Sequence, residues 1–401
     1  MRQWDAATGS EVRRFTGHHG LGQVKCVAVS PDGAFAVSGG NDGSILVWDL
    51  TGGGSKPSTA ADVSDVVAAE RNQVIMTSSP PAAVVTPAAV LGAEVDRFVR
   101  PEGAVPLGIA LTADGVGAVT TYGSGGRHPV LDNLIELRDL ATGTVSARWN
   151  ADRLPHQGAI NAVAVSAAGR QFVTGGQDNR VVVRAAGTET PLCVFDEHLA
   201  GVTGVALPAD GVTAVTSSQD GTLALWNLDT GTLTRSMNSG GTALLAVAND
   251  PGQGVVAATA DGRVVWWDLS GTRVTFEAKA AEVPIHDAAV SADGRVVVLG
   301  ADDGTLHVWD NHARRSLREI AAHSEPIRAV AISRDGQWAL TGSADNTLRL
   351  WRVGSGSEAS LLMGHEDDVS DVVFGADGRS AVSVGLDGRM LKWSLPVGVS
   401  P

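Results

Sequence analysis

From Ile327 the chain alternates as Ile327-Arg-Ala-Val-Ala-Ile332, which predicts a half-buried strand by its period of two. Ser333-Arg-Asp-Gly336 follows as a turn, the Asp bonding its own backbone and the Gly supplying a positive φ. Trp338-Ala-Leu-Thr341 predicts a second strand and Gly342-Ser-Ala-Asp345-Asn346 a second tight turn. Leu348, Leu350 and Trp351 mark a third strand, and residues 358–362 a more polar fourth, before Gly364-His365 starts the pattern again. Four short antiparallel strands in 42 residues match one blade of a β-propeller, so the predicted class is all-β.

The unit recurs along the chain. Trp226, Trp267, Trp309, Trp351 and Trp393 are spaced by 41, 42, 42 and 42 residues, and Trp4 and Trp48 by 44. Trp4, Trp48, Trp267 and Trp309 are each followed by Asp. A fixed period in the low forties means one supersecondary unit copied many times, which shifts the functional expectation from catalysis towards binding.

Residues at about 28, 10 and 6 positions before each Trp repeat as well. The full sets are His198, Thr216, Asp220, Trp226; His323, Thr341, Asp345, Trp351; and His365, Ser383, Asp387, Trp393. His18, Ser38, Asp42 and Trp48 form another, with the His two residues further upstream. His156, Thr174 and Asp178 belong to a unit in which Arg184 replaces the Trp, and elsewhere only Asp261 and Asp303 remain. With the Gly-His and Trp-Asp pairs, this pattern resembles the WD-repeat family over essentially the whole chain. The resemblance implies that these side chains form a structural hydrogen-bonded network within each blade.

Residues 49–158 follow the pattern less closely. Trp48 to Arg138 spans 90 residues, twice 45, and Glu94-Val-Asp-Arg-Phe98 repeats Glu11-Val-Arg-Arg-Phe15. Residues 63–67 and 74–77 are expected strands of a degenerate unit, and 107–111 and 134–138 of the next. The expectation is therefore one domain over 1–401 with nine units, ending near 48, 87, 138, 184, 226, 267, 309, 351 and 393. The last unit stops after its third strand, and residues 10–15 are expected to supply its fourth and close the ring, removing an exposed sheet edge. Arg2-Gln-Trp4-Asp5 reads as the tail of a third strand, from a chain cut out of a longer array or as a vestigial lead-in.

Composition changes this picture little. No apolar run reaches the roughly 18 residues of a membrane span, and the N-terminus lacks the apolar segment of a signal peptide. Cys26 and Cys193 fall in different units, and a reducing cytoplasm is the expected compartment. The net charge of −14 partly reflects turn chemistry. Asp42, Asp178, Asp220, Asp261, Asp303, Asp345 and Asp387 precede third strands, and six further Asp sit in first turns. The balance argues against broad binding of nucleic acid, which needs clustered Lys and Arg.

Candidate chemistry is sparse. No His-x-His or Cys-x-x-Cys spacing suggests a metal, no Gly-x-Ser-x-Gly elbow a nucleophile, and no cofactor is expected. The Gly-Gly pairs ending at Gly40 and Gly176 lack the Lys and helix of a phosphate loop. The expected function is a monomeric, non-catalytic scaffold that binds other proteins. The competing readings are a docking or sensory module of a larger protein and, less favoured, a catalytic propeller of another class.

The family resemblance implies a channel mouth lined by residues early in each innermost strand, about 23 before the Trp. That ring is Lys25, Ser64, Leu107, Asn161, Thr203, Leu244, His286, Arg328 and Ser370. Lys25, His286 and Arg328 give it a weakly basic arc, which Glu325, Glu366, Asp367 and Asp368 dilute. The long Gly-rich loop from Tyr122 to Asn133 is expected to project from the same face. Its Tyr122, Arg127 and His128 are candidate partner contacts, because Tyr and Arg combine large contact area with directional hydrogen bonds. An acidic peptide segment is the expected ligand.

Overall fold

The computed structural model describes residues 105–395, apart from 124–133, 150–154, 167–168, 170, 186–187, 189, 252–253 and 272. It also gives the backbone of six strands nearer the N-terminus. The chain divides into two compact units, Met1–Pro87 and Ala88–Pro401.

In the N-terminal unit, β1 (Arg2–Trp4) pairs with β2 (Glu11–Arg14), and β3 (Val24–Val29), β4 (Phe35–Gly40) and β5 (Ile45–Asp49) form a three-stranded sheet. The C-terminal unit is a propeller of seven four-stranded antiparallel blades. Blade 1 comprises β7 (Val105–Leu111), β8 (Gly117–Gly123), β9 (Leu134–Asp139) and β10 (Val145–Trp149). Blades 2 to 6 begin at β11 (Ile160–Val165), β15 (Val202–Ala206), β19 (Leu244–Asp250), β23 (Ile285–Val290) and β27 (Ile327–Ile332). Blade 7 contains β31 (Val369–Phe374), β32 (Ser380–Gly385) and β33 (Arg389–Ser394). The first strands neighbour one another in sequence order, and β31 meets β7 to complete the circle.

The strand that completes blade 7 is β6 (Ala93–Val99), with Trp393 opposite Glu94 and Met390 opposite Phe98. This corrects the expected closure by residues 10–15, whose strand β2 pairs with β1 instead. Chain order supplies the reason. Every other blade hands on from its fourth strand to the first strand of the next, and β6 leads into β7 across only residues 100–104. It therefore enters the ring at the position a fourth strand of blade 7 must occupy, with a much shorter loop to order than β2 would need. The expected nine-unit ring is likewise corrected to seven blades. The stretch 105–149 makes one blade, Trp48 lies in the N-terminal unit, and the degenerate strands at 63–67 and 74–77 fall outside the described residues.

The core sits in the seams between blades. Leu340, Leu348, Leu350 and Leu362 of blade 6 pack with Val369, Val372, Leu391 and Trp393 of blade 7. The closing seam joins Ile109, Ala118 and Leu140 of blade 1 to Val382, Val384 and Met390 of blade 7. In three blades the close approach of the next sheet requires a Gly at the penultimate position of the second strand. A Cβ on Gly175, Gly300 or Gly342 would come within 2.3, 2.5 or 2.6 Å of Val202, Ile327 or Val369, each the first residue of the next innermost strand. The Gly pair at Gly175-Gly176 is thus a packing feature at its first member.

Candidate interaction surface at the channel mouth

Inside the blades, the predicted networks form. His198 Nε2 lies 2.7 Å from Thr216 Oγ1, which accepts a 2.9 Å bond from Trp226 Nε1, while His198 Nδ1 lies 3.2 Å from Asp220. The corresponding distances are 2.6, 3.0 and 2.8 Å for His323, Thr341, Trp351 and Asp345. For His365, Ser383, Trp393 and Asp387 they are 2.7, 2.9 and 3.1 Å. A neutral ring satisfies every member: indole N–H to hydroxyl, hydroxyl to Nε2, and Nδ1–H to carboxylate. Burial lowers the His198 and His323 imidazoles below their ordinary value, in keeping with that state. Burial alone would raise Asp220, but hydrogen bonds from Thr222 and the Leu199 N–H hold it below the usual carboxylate range. Asp345 and Asp387 are depressed in the same way.

His156 bonds Thr174 and Asp178, each at 3.0 Å, with Arg184 fully buried in the Trp position opposite Phe172. His18 and Asp42 lie outside the described residues; Ser38 and Trp48 lie on β4 and β5. The described networks of His156, His198, His323 and His365 are buried within their blades, where they support the fold.

The predicted mouth ring has a structural identity that sequence reading did not find. Leu107, Asn161, Thr203, His286, Arg328 and Ser370 each stand at the register shift of their blade's first strand, the unpaired residue of a β-bulge. Lys25 has the same register position on β3, which belongs to the N-terminal unit, so the expected ring is corrected: Lys25 is not a member of the seven-bladed propeller. In blade 4 that residue is Leu245, correcting Leu244, which is fully buried. Counting back from Trp267 fails there because the preceding interval is one residue short. Ser64 falls outside the described residues.

Three of the bulge residues stitch blades together. Asn161 donates to Val202 O of the next blade at 3.0 Å, and Thr203 to Leu244 O at 2.9 Å. Ser370 donates to Pro106 O at 2.6 Å across the closing seam.

His286 and Arg328 form a different group. His286 Nε2 lies 2.6 Å from Asp302 Oδ1 and 3.0 Å from Arg328 Nη1. One nitrogen either donates to Asp302 or accepts from Arg328, so its proton decides which neighbour it serves. Arg328 makes only long ion pairs, 3.7 Å to Asp302 and 3.9 Å to Asp368, and its side chain is 36% exposed. The basic arc expected at these blades is therefore a mixed-charge cluster. Asp302 escaped sequence reading because it adjoins Asp303, the repeat's turn position.

Tyr122 is not a loop residue. It lies within β8, is 3% exposed, and donates to Glu136 Oε2 at 3.0 Å, so it is withdrawn from the surface expected to present it. Arg127 and His128 lie outside the described residues. Glu136 also pairs with Arg138 at 2.9 Å and Arg148 at 2.6 Å. Burial would raise its carboxyl, but the Tyr122 and Arg138 hydrogen bonds and both guanidinium charges bring it below its ordinary value. Blade 1 thus carries a buried ionic group, with Arg138 opposite Ala118 in the position Trp226 occupies opposite Ala214. Among the described residues, no group of three or more His, Cys, Asp or Glu is placed to hold a metal ion.

A family model described as WD domain, G-beta repeat matches residues 9–49, 152–183, 189–227, 273–310, 314–352 and 356–394, more than half of the chain. No match was found among the curated proteins. Blade 1 and most of blade 4 lie outside the matched segments, yet both fold as four-stranded blades in the same ring. Blade 1 carries Arg138 in place of the Trp, and blade 4 has Ala257 where Thr216 stands in blade 3. From the matched repeats and the ring they build, the chain belongs to the WD-repeat family.

Proposed function

We propose that this protein is a non-catalytic scaffold that binds other proteins, and that it receives an acidic peptide segment at the channel mouth beside His286 and Arg328. The observation that carries this reading is the contrast among bulge residues. Asn161, Thr203 and Ser370 are engaged in blade-to-blade bonds to carbonyls, whereas Arg328, beside its 3.0 Å contact with His286 Nε2, meets carboxylates only at long range, 3.7 Å from Asp302 and 3.9 Å from Asp368. A carboxylate arriving within hydrogen-bond distance of its guanidinium would form a better pair than either neighbour offers. The rigid ring pre-places these side chains, which reduces the ordering cost of binding. The fold is typical of interaction scaffolds.

The test is affinity purification with the intact chain and its Arg328→Glu variant, followed by calorimetry on the partner found. A weakening of about tenfold or more supports the reading. Equal affinity for both proteins rejects the mouth as the binding surface.

A further inference from the structure

On the face carrying the first turns of the blades, the seam between blades 5 and 6 opens into a groove of about 500 Å³. Val296, Leu317 and Val353 supply aliphatic surface, and Leu317 is 43% exposed. Two arginines flank it. Arg318 donates across the seam to Gly354 O, and the Arg352 guanidinium sits 4.6 Å from the Trp338 ring centre. Among the described residues, neither arginine has a carboxylate within ion-pair distance, in a chain of net charge −14.

This charge is not a property of the repeat. The similar seam between blades 3 and 4 holds a groove of about 450 Å³ lined by Asp250 and Asp268. Space remains at the blade 5–6 groove because a Cβ on Gly354 would meet nothing within 4 Å.

We propose that the groove between blades 5 and 6 binds an extended protein segment in which carboxylates flank an aliphatic side chain. The aliphatic group would cover Leu317 and Val353, while the carboxylates meet Arg318 and Arg352. Both guanidiniums are already held, one by a carbonyl and one by an indole, so little side-chain freedom is lost on pairing. Their charges and the groove's walls select acidic over basic segments. None of these residues belongs to the channel mouth, so this proposal is independent of the previous one.

Fluorescence anisotropy with a labelled peptide Glu-Leu-Glu-Val-Glu, and a counterpart with Lys for Glu, tests the inference on the full chain. Saturable binding of the acidic peptide is expected, weakening with salt and absent for the basic one. Arg318→Glu and Gly354→Trp, each checked for an unchanged melting temperature, should each weaken binding about tenfold or more, while Arg328→Glu reads out any binding at the mouth. Absent binding, or the parent's affinity retained in both groove variants, overturns the proposal. Loss in Arg328→Glu alone also overturns it, by placing the peptide at the mouth.

Discussion

At the scale of the residue, stability rests on polar side chains that complete one another inside the sheets. Trp393 is 1% exposed and donates to Ser383, which also contacts His365. Trp393→Ala removes a large packed side chain and one partner of that network. We expect a loss of about 3–5 kcal/mol in denaturant unfolding; an unchanged midpoint would show that the network contributes nothing.

Asp287 and Asp371 behave oppositely to the network carboxylates. Both are on first strands facing the channel, and each accepts a backbone N–H of the next blade at 2.8 Å, from Val330 and Ile109. Each is half-buried on an innermost strand, with protein around most of its carboxyl group. That enclosure raises their carboxyls to about 7 and about 8, with Asp287 adding like-charge repulsion at Asp371. Lumen water tempers the effect without changing its sign. A raised folded value means their favourable contribution is complete below 3.8 and is lost as pH rises through about 7 to 8. Asp371→Asn cannot ionise, so it should gain stability relative to the parent as pH climbs through this window. Parallel stability–pH curves for the two proteins would exclude the effect.

At the scale of the element, one sequence pattern serves two strands. In β1–β2, Trp4 faces Glu11 with a register shift just before the Trp; in β33–β6, Trp393 faces Glu94 with the same shift. Glu11-Val-Arg-Arg-Phe15 and Glu94-Val-Asp-Arg-Phe98 are therefore suited to the same edge, and position in the chain selects between them. Removing residues 1–87 leaves β6 to close blade 7, whereas removing 1–100 strips the edge of β33. The shorter deletion should retain a monomeric ring and its melting temperature, and the longer one should associate or unfold. Similar behaviour from both truncations, by light scattering and thermal melting, would contradict closure by β6.

At the scale of the whole molecule, the closed ring gives short blades a rigidity that single four-stranded sheets lack, because every seam is a core. On the proposed function, binding at the mouth would depend on charge held in place by that frame. Association through Arg328 should slow as salt rises, with dissociation changing less. Stopped-flow rates at two ionic strengths measure this; an association rate insensitive to salt would argue against a charged contact.

The blade and its internal bonds were already legible in the residue pattern. Apolar alternation fixed the strands, and the spacing of His198, Thr216, Asp220 and Trp226 identified partners that meet in space, because all four lie within one repeat and are joined by local turns. How many blades close, and which strand closes them, was settled by packing across the whole ring. Those outcomes depend on one circle in which β31 must meet β7, and periodicity contains no information about the circumference. The same holds for the candidate sites. The bulge positions are nearly periodic, so most of the mouth was legible. The approach of Asp302 and Asp368 to Arg328, the burial of Tyr122 against Glu136, and the groove of Arg318 and Arg352 join residues from different strands or blades. Their proximity is set by sheet packing, which acts across seams that no local pattern records.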